Sequence, residues 1–157
     1  MQPMRLIQGR SVAPRILVVD DEESIRTLLV RVLAPVGYHV DIAADADTAL
    51  EMMSASPANV VLVDIRMPGH DGAWLIDRLQ EMYPETAIII ATGVRDLDPR
   101  LTLRAGVIGY VIKPFSAKKV RDIVQKAVTA VHSLPSHPPL RLLAPLDPAA
   151  LGDDDRE

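Results

Sequence analysis

The chain reads as an α/β domain of the doubly wound kind, with five parallel strands and five helices shared between the two faces of the sheet. Three observations lead there. Five short runs rich in Val, Ile and Leu recur over residues 15–112, each apolar enough to be a strand buried on both faces. Each run is followed by helix-start residues and then, in most cases, by apolar residues at helical spacing. The punctuation between the units (Pro35 and Gly37, Pro57, Pro84, Gly106) is brief, as in β–α–β repeats. The right-handed crossover rule leaves few windings for such a chain, and 2-1-3-4-5 is the common order.

Residues 1–14 show no clear period and form a leader. Arg15–Asp20 (R-I-L-V-V-D) is the first strand. Asp21, Glu22 and Glu23 then oppose the positive end of a helix dipole, and Ile25, Leu28, Leu29, Val32 and Leu33 mark that helix's inward side. Tyr38–Ala43 is a weaker strand, expected nearer an edge. Asp45 caps a helix whose inward residues are Ala46, Ala49, Leu50 and Met53. Val60–Asp64 (V-V-L-V-D) is the third strand. Asp71 caps the next helix, with Leu75, Leu79 and Met82 facing in. Ala87–Ala91 is the fourth strand and ends on Thr92-Gly93. A short helix between Asp98 and Ala105 carries Pro99 in its first turn. Val107–Ile112 is the fifth strand. Ser116 caps a last helix that buries Val120, Ile123, Val124, Ala127, Val128 and Val131.

With 157 residues, 48% of them hydrophobic, the chain suits one compact domain over 15–131 with a remainder at each end. From His132 on, Pro135, Pro138, Pro139, Pro145 and Pro148 break any long helix, and residues 132–157 read as a Pro-rich acidic tail or linker in which Leu140–Leu146 is apolar enough to dock. No run approaches the length of a membrane span and the start lacks a signal-peptide core, so a cytoplasmic protein is expected. The absence of cysteine excludes disulfides, thiol nucleophiles and Cys-based zinc sites. His39, His70, His132 and His137 fall in no metal-ligand spacing. The net charge is −4; residues 15–131 set 13 bases against 16 acids, no segment forms a basic stripe, and aromatic residues are few, so direct nucleic-acid binding is not expected.

Four strand ends carry polar groups on one edge: Asp20-Asp21, Asp64, Thr92 and Lys113. The carboxyl edge of a parallel sheet is where ligands bind, and in the order 2-1-3-4-5 the first and third strands are neighbours at the switch point. Three carboxylates would crowd there. They would repel one another unless a cation joined them, and oxygen ligands with open positions suit Mg²⁺.

These pieces resemble the receiver domain of two-component response regulators, a CheY-like, flavodoxin-like fold. The resemblance rests on V-V-D-D-E (Val18–Glu22), L-V-D-I-R-M-P (Leu62–Pro68) with Asp71-Gly72, A-T-G (Ala91–Gly93) and G-Y-V-I-K-P-F (Gly109–Phe115), in that order and at those separations. It implies that Asp64 accepts a phosphoryl group from a phosphohistidine on a sensor histidine kinase or phosphotransfer protein. Asp21 and Asp64 would hold Mg²⁺ directly, Asp20 would assist directly or through water, and the backbone carbonyl of Arg66 would add a ligand. Lys113 would neutralise phosphoryl charge, and Thr92 would hydrogen-bond a phosphoryl oxygen. The family also implies a cis Lys113–Pro114 bond and a switch in which Thr92 moves and Tyr110 turns inward. The face formed by helix four, strand five and helix five would then change toward a downstream protein partner.

The segment from Thr92 to Lys113 is slightly short for the family, which puts its usual dimer face in question and leaves a homodimer open. Arg66 and Val94, each two residues past a key group, flank the path of attacking water and are expected to tune phosphate lifetime. Two other readings stand beside the phosphoacceptor. An aspartyl-nucleophile hydrolase generally needs a second acid two residues after its nucleophile, where this chain has Arg66. A phosphate-independent pseudo-receiver would have no use for Asp20, Asp21, Asp64, Thr92 and Lys113 together.

Overall fold

The alternation of apolar side chains along the strands determines how the layers assemble. In the computed structural model, which describes residues 12–93 and 98–133, Leu17, Val19, Val61, Val63, Ile88 and Ile90 point to one face of the sheet, and Ile16, Val18, Val60, Leu62, Ile89 and Ala91 to the other. Successive strand residues project to opposite sides, so strands that are apolar at every position need cover on both.

Strands β1 (Arg15–Val19), β2 (His39–Ala43), β3 (Val60–Val63), β4 (Ala87–Thr92) and β5 (Val107–Ile112) are all parallel and lie in the order β2-β1-β3-β4-β5. Helices α2 (Ala46–Ala55) and α3 (Gly72–Met82) cover the first face through Ala46, Ala49, Met53, Leu75, Ile76 and Leu79. Helices α1 (Glu23–Leu33) and α5 (Ala117–Ser133) cover the second through Leu29, Leu33, Val120, Val124 and Ala127. A single turn, α4 (Pro99–Thr102), leans Leu101 on the first face. The doubly wound fold expected from the sequence is the fold observed.

Local signals act where they were expected. The Asp45 side chain accepts from Thr48 N–H at 2.7 Å, Asp71 from Trp74 N–H at 2.9 Å, and Ser116 from Lys119 N–H at 3.1 Å. Gly37 closes the end of α1 and its 3₁₀ extension with φ of 111°, a conformation open to glycine.

Some expectations need correction. Leu28 is 41% exposed, because the buried stripe of α1 is centred on Ile25, Leu29, Val32 and Leu33, and Leu28 lies at its margin. Met82 is 54% exposed, being the last residue of α3, where the helix runs past the sheet; Ile76, not singled out from the sequence, is fully buried instead. β2 starts at His39 and β3 stops at Val63, while β4 runs one residue further, to Thr92. The fourth helix, Pro99–Thr102, lies within the expected span between Asp98 and Ala105, and Gly106 with φ of 82° turns the chain into β5. Residues 1–11, 94–97 and 134–157 lie outside the described residues, as therefore do Val94, His137 and Leu140–Leu146; the His132 side chain is also outside the description. Among the described residues no helix is long and apolar enough to cross a membrane.

Candidate functional site

Register brings the strand-end groups together. Val19 pairs with both Ala43 and Val63, so Asp20 and Asp64, each one residue further on, leave adjacent strands side by side. The ladder carries both a step past the strand ends: Asp20 N–H donates to Ala43 O at 3.1 Å, and Asp64 N–H to Val19 O at 3.0 Å. On the other side, Thr92 pairs with Ile112, and Lys113 N–H donates to Thr92 O at 2.8 Å. The Lys113–Pro114 bond is cis.

The Lys113 ammonium lies 2.7 Å from Asp20 Oδ2, 3.3 Å from Asp64 Oδ2 and 3.6 Å from Glu22 Oε1. Asp20, Asp64 and Thr92 are buried, whereas Asp21 is exposed. Burial pushes the Asp64 carboxyl above its ordinary range; Lys113 opposes that, the Asp20 charge adds to it, and hydrogen bonds from Lys113 and Thr92 oppose it again, without overcoming the rise. Burial alone would lower the Lys113 pKa, but the hydrogen bond and charge of Asp20, followed by those of Asp64, outweigh it and hold the ammonium above its ordinary value. Among the described residues the site is thus a buried acid pair balanced by one cation, with an exposed third acid at its mouth.

One oxygen from each of Asp20, Asp21 and Asp64 lies within 4.8 Å of the others. An all-oxygen donor set with one solvent-facing member fits a hard divalent ion that keeps several waters. Both buried carboxylates also accept backbone hydrogen bonds. Asp20 Oδ1 accepts from Glu22 N–H at 2.9 Å, and Asp64 Oδ1 from Arg66 N–H at a long 3.4 Å.

Tyr110 stands apart from this cluster, 52% exposed on β5. The sequence assigned no role at the site to three contributors. Glu22 reads there only as a helix-start acid, yet it reaches toward Lys113. Arg26 donates to the Asp20 carbonyl oxygen at 2.7 Å, fixing the turn out of β1; no local pattern signals this. Gly72 is where α3 meets the end of β3: a Cβ there would lie 2.7 Å from Ile65 Cα and closer still to the Asp64 carbonyl oxygen. Its N–H donates to Ile65 O at 2.8 Å, so this close approach shapes the loop that carries Asp64.

Comparison with known proteins gives a consistent result. Residues 16–125 match the response regulator receiver domain family. The chain is 36% identical over 115 residues to the regulatory protein AtoC of Escherichia coli K12, covering 73% of this chain and 25% of that protein. It is 40% identical over 107 residues to a probable transcriptional regulator, ycf27, of Cyanophora paradoxa, covering 68% and 44%. Among solved structures it resembles the signal receiver domain of an HD domain-containing protein from Pseudomonas fluorescens Pf-5, with a TM-score of 0.74 and 30% identity over 78% of this chain and 100% of that one. It also resembles a CheY-like receiver domain protein from Methanospirillum hungatei JF-1, with a TM-score of 0.73 and 28% identity over 77% and 98%. The match spans a quarter to less than half of these two sequence relatives.

Proposed function

This chain belongs to the response regulator receiver family of two-component signalling, and on that premise we propose that it is a phosphoacceptor switch whose acceptor is Asp64. The observation that carries the reading is the Lys113 ammonium held between two buried carboxylates at 2.7 and 3.3 Å on one sheet edge. Asp64 offers a carboxylate oxygen to the phosphorus of a phosphohistidine on a sensor histidine kinase or phosphotransfer protein. The O–P bond forms as the N–P bond breaks, and the leaving imidazole takes a proton. Lys113 swings from the acid pair onto the phosphoryl oxygens, and Thr92 donates its hydroxyl to one of them.

The acid cluster would hold Mg²⁺ through Asp21 and Asp64, with Asp20 assisting and the Arg66 carbonyl as a further ligand. When bound, that ion supplies Lewis-acid neutralisation of phosphoryl charge. The chain's own part is to keep Asp64 dry, aimed and paired until the donor arrives.

Phosphorylation replaces one negative charge with about two. The Lys113–Asp64 pair is then remade around the phosphoryl group and Thr92 follows it. Tyr110, now more than half exposed, turns into the space Thr92 leaves. The α4–β5–α5 face would carry the output to a protein partner. Side chains at Arg66 and Val94 would set how fast water removes the group. A cytoplasmic setting follows from the kinase as donor.

Incubation with a small phosphodonor and Mg²⁺ is expected to add one phosphoryl group by intact-mass measurement, and none to Asp64→Asn. Equal labelling of both proteins would refute Asp64 as acceptor. Absence of labelling in both would favour a phosphate-independent interaction domain.

A further inference from the structure

We propose that residues 140–146 of the C-terminal tail (L-R-L-L-A-P-L) dock in a cleft at the amino edge of the sheet, the pole opposite Asp64. Pro57, Met82, Tyr83, Pro84, Glu85 and Val131 line this cleft, between the lead-ins to β3 and β4 and the last turns of α5. Much of its open wall is apolar: Met82 is 54% exposed, Pro57 and Pro84 are exposed and Tyr83 is only partly buried, with Glu85 exposed beside them. An exposed methionine beside an aromatic ring and two prolines is a surface that gains from cover.

Chain connectivity selects the occupant. Val131 is part of the cleft wall and precedes Leu140 by only nine residues in the chain. At the rise of a Pro-rich extended chain, seven residue steps can span about 22 Å, so the link from Ser133 to Leu140 allows the segment to reach back to Val131. A tethered segment arrives at an effective concentration of order mM, an advantage no separate molecule has. The prolines at 135, 138, 139 and 145 already restrict the backbone, which lowers the entropy lost on docking. Charge agrees as well: Arg141 lies within the apolar run and Glu85 is exposed on the cleft rim, while the tail's acids, Asp147, Asp153–Asp155 and Glu157, all follow the docking segment.

The absence of cysteine from these 157 residues makes a direct test available in this chain. Met82→Cys with Leu142→Cys, equilibrated in a glutathione redox buffer, is expected to form an intramolecular disulfide. A control pairs Leu28→Cys, exposed on α1, with Leu142→Cys. The cleft pair should be favoured roughly tenfold or more over the control. Equal oxidation of the two pairs, no disulfide in the cleft pair, or disulfides only between chains would overturn the proposal, the last assigning the cleft to a second copy. Independently, hydrogen exchange of the Tyr83 and Thr86 amides should quicken in the same 157-residue chain carrying Leu142→Asp/Leu143→Asp, and unchanged exchange would equally overturn it.

Discussion

Replacing Lys113 by Met removes the charge on which the acid pair depends while keeping most of the side chain's length. The Lys113 side chain is 12% exposed, and those of Asp20 and Asp64 are 3% and 6% exposed. At the effective dielectric suited to such sites, contacts of 2.7 and 3.3 Å correspond to ~6 and ~5 kcal/mol of attraction. Acid oxygens within 4.8 Å repel by at least ~3 kcal/mol. Most of the attraction is offset by the cost of desolvating the ammonium. What survives is the cost of leaving buried carboxylates unpaired, typically ~3–5 kcal/mol. Protonation of Asp64, whose pKa is already raised, relieves part of this. The expected loss is therefore about 3 kcal/mol in metal-free buffer at neutral pH, or on the order of 10 °C in Tm. Urea unfolding followed by the fluorescence of Trp74, the only tryptophan, reads it directly. Adding Asp64→Asn to Lys113→Met should recover a large part of the loss, since one of the two stranded charges is gone. A loss below ~0.5 kcal/mol, or one that Asp64→Asn leaves unchanged, would refute this account of the site.

Other outcomes follow from the same geometry. Because the folded state raises the Asp64 pKa, ionised Asp64 costs stability above that value, so Asp64→Asn should stabilise the metal-free chain at neutral pH. That gain should shrink as pH falls through the raised pKa toward the ordinary 3.8, as read by urea titrations at several pH values. Gly72→Ala, forced against the Asp64–Ile65 backbone, should lose about 2 kcal/mol and slow phosphorylation, whereas an alanine at exposed Gly93, which meets nothing within 4 Å, should leave stability near wild type. Asp45→Ala should cost about 1 kcal/mol through loss of the Thr48 cap. The Asp45 pKa is lowered chiefly by hydrogen bonds from Thr48, so its contribution is present above pH 3.8 and fades as pH falls through the lowered value. Mg²⁺ at a hundredfold excess over its Kd should add about 2.7 kcal/mol of stability, and Asp21→Asn should remove most of that gain, by thermal melts with and without chelator.

Much of this protein is carried by local pattern. Five apolar runs, the caps Asp45, Asp71 and Ser116, and the prolines and glycines between them specify the order of elements, because buried strands and helix starts each impose their own residue types nearby in the chain. Asp20, Asp64, Thr92 and Lys113 were legible as strand-end groups for the same reason. Their distances were not. Only the registers of β1 against β3, β3 against β4 and β4 against β5 together set Lys113 between Asp20 and Asp64, and neighbouring residues in the chain say nothing about pairing across 49 positions. Arg26 on the Asp20 carbonyl, Glu22 near the ammonium and the tight seat of Gly72 were likewise decided in three dimensions. So was the exposure of Leu28 and Met82: helical spacing gives a side chain's direction around its own axis, but packed neighbours decide where the core ends.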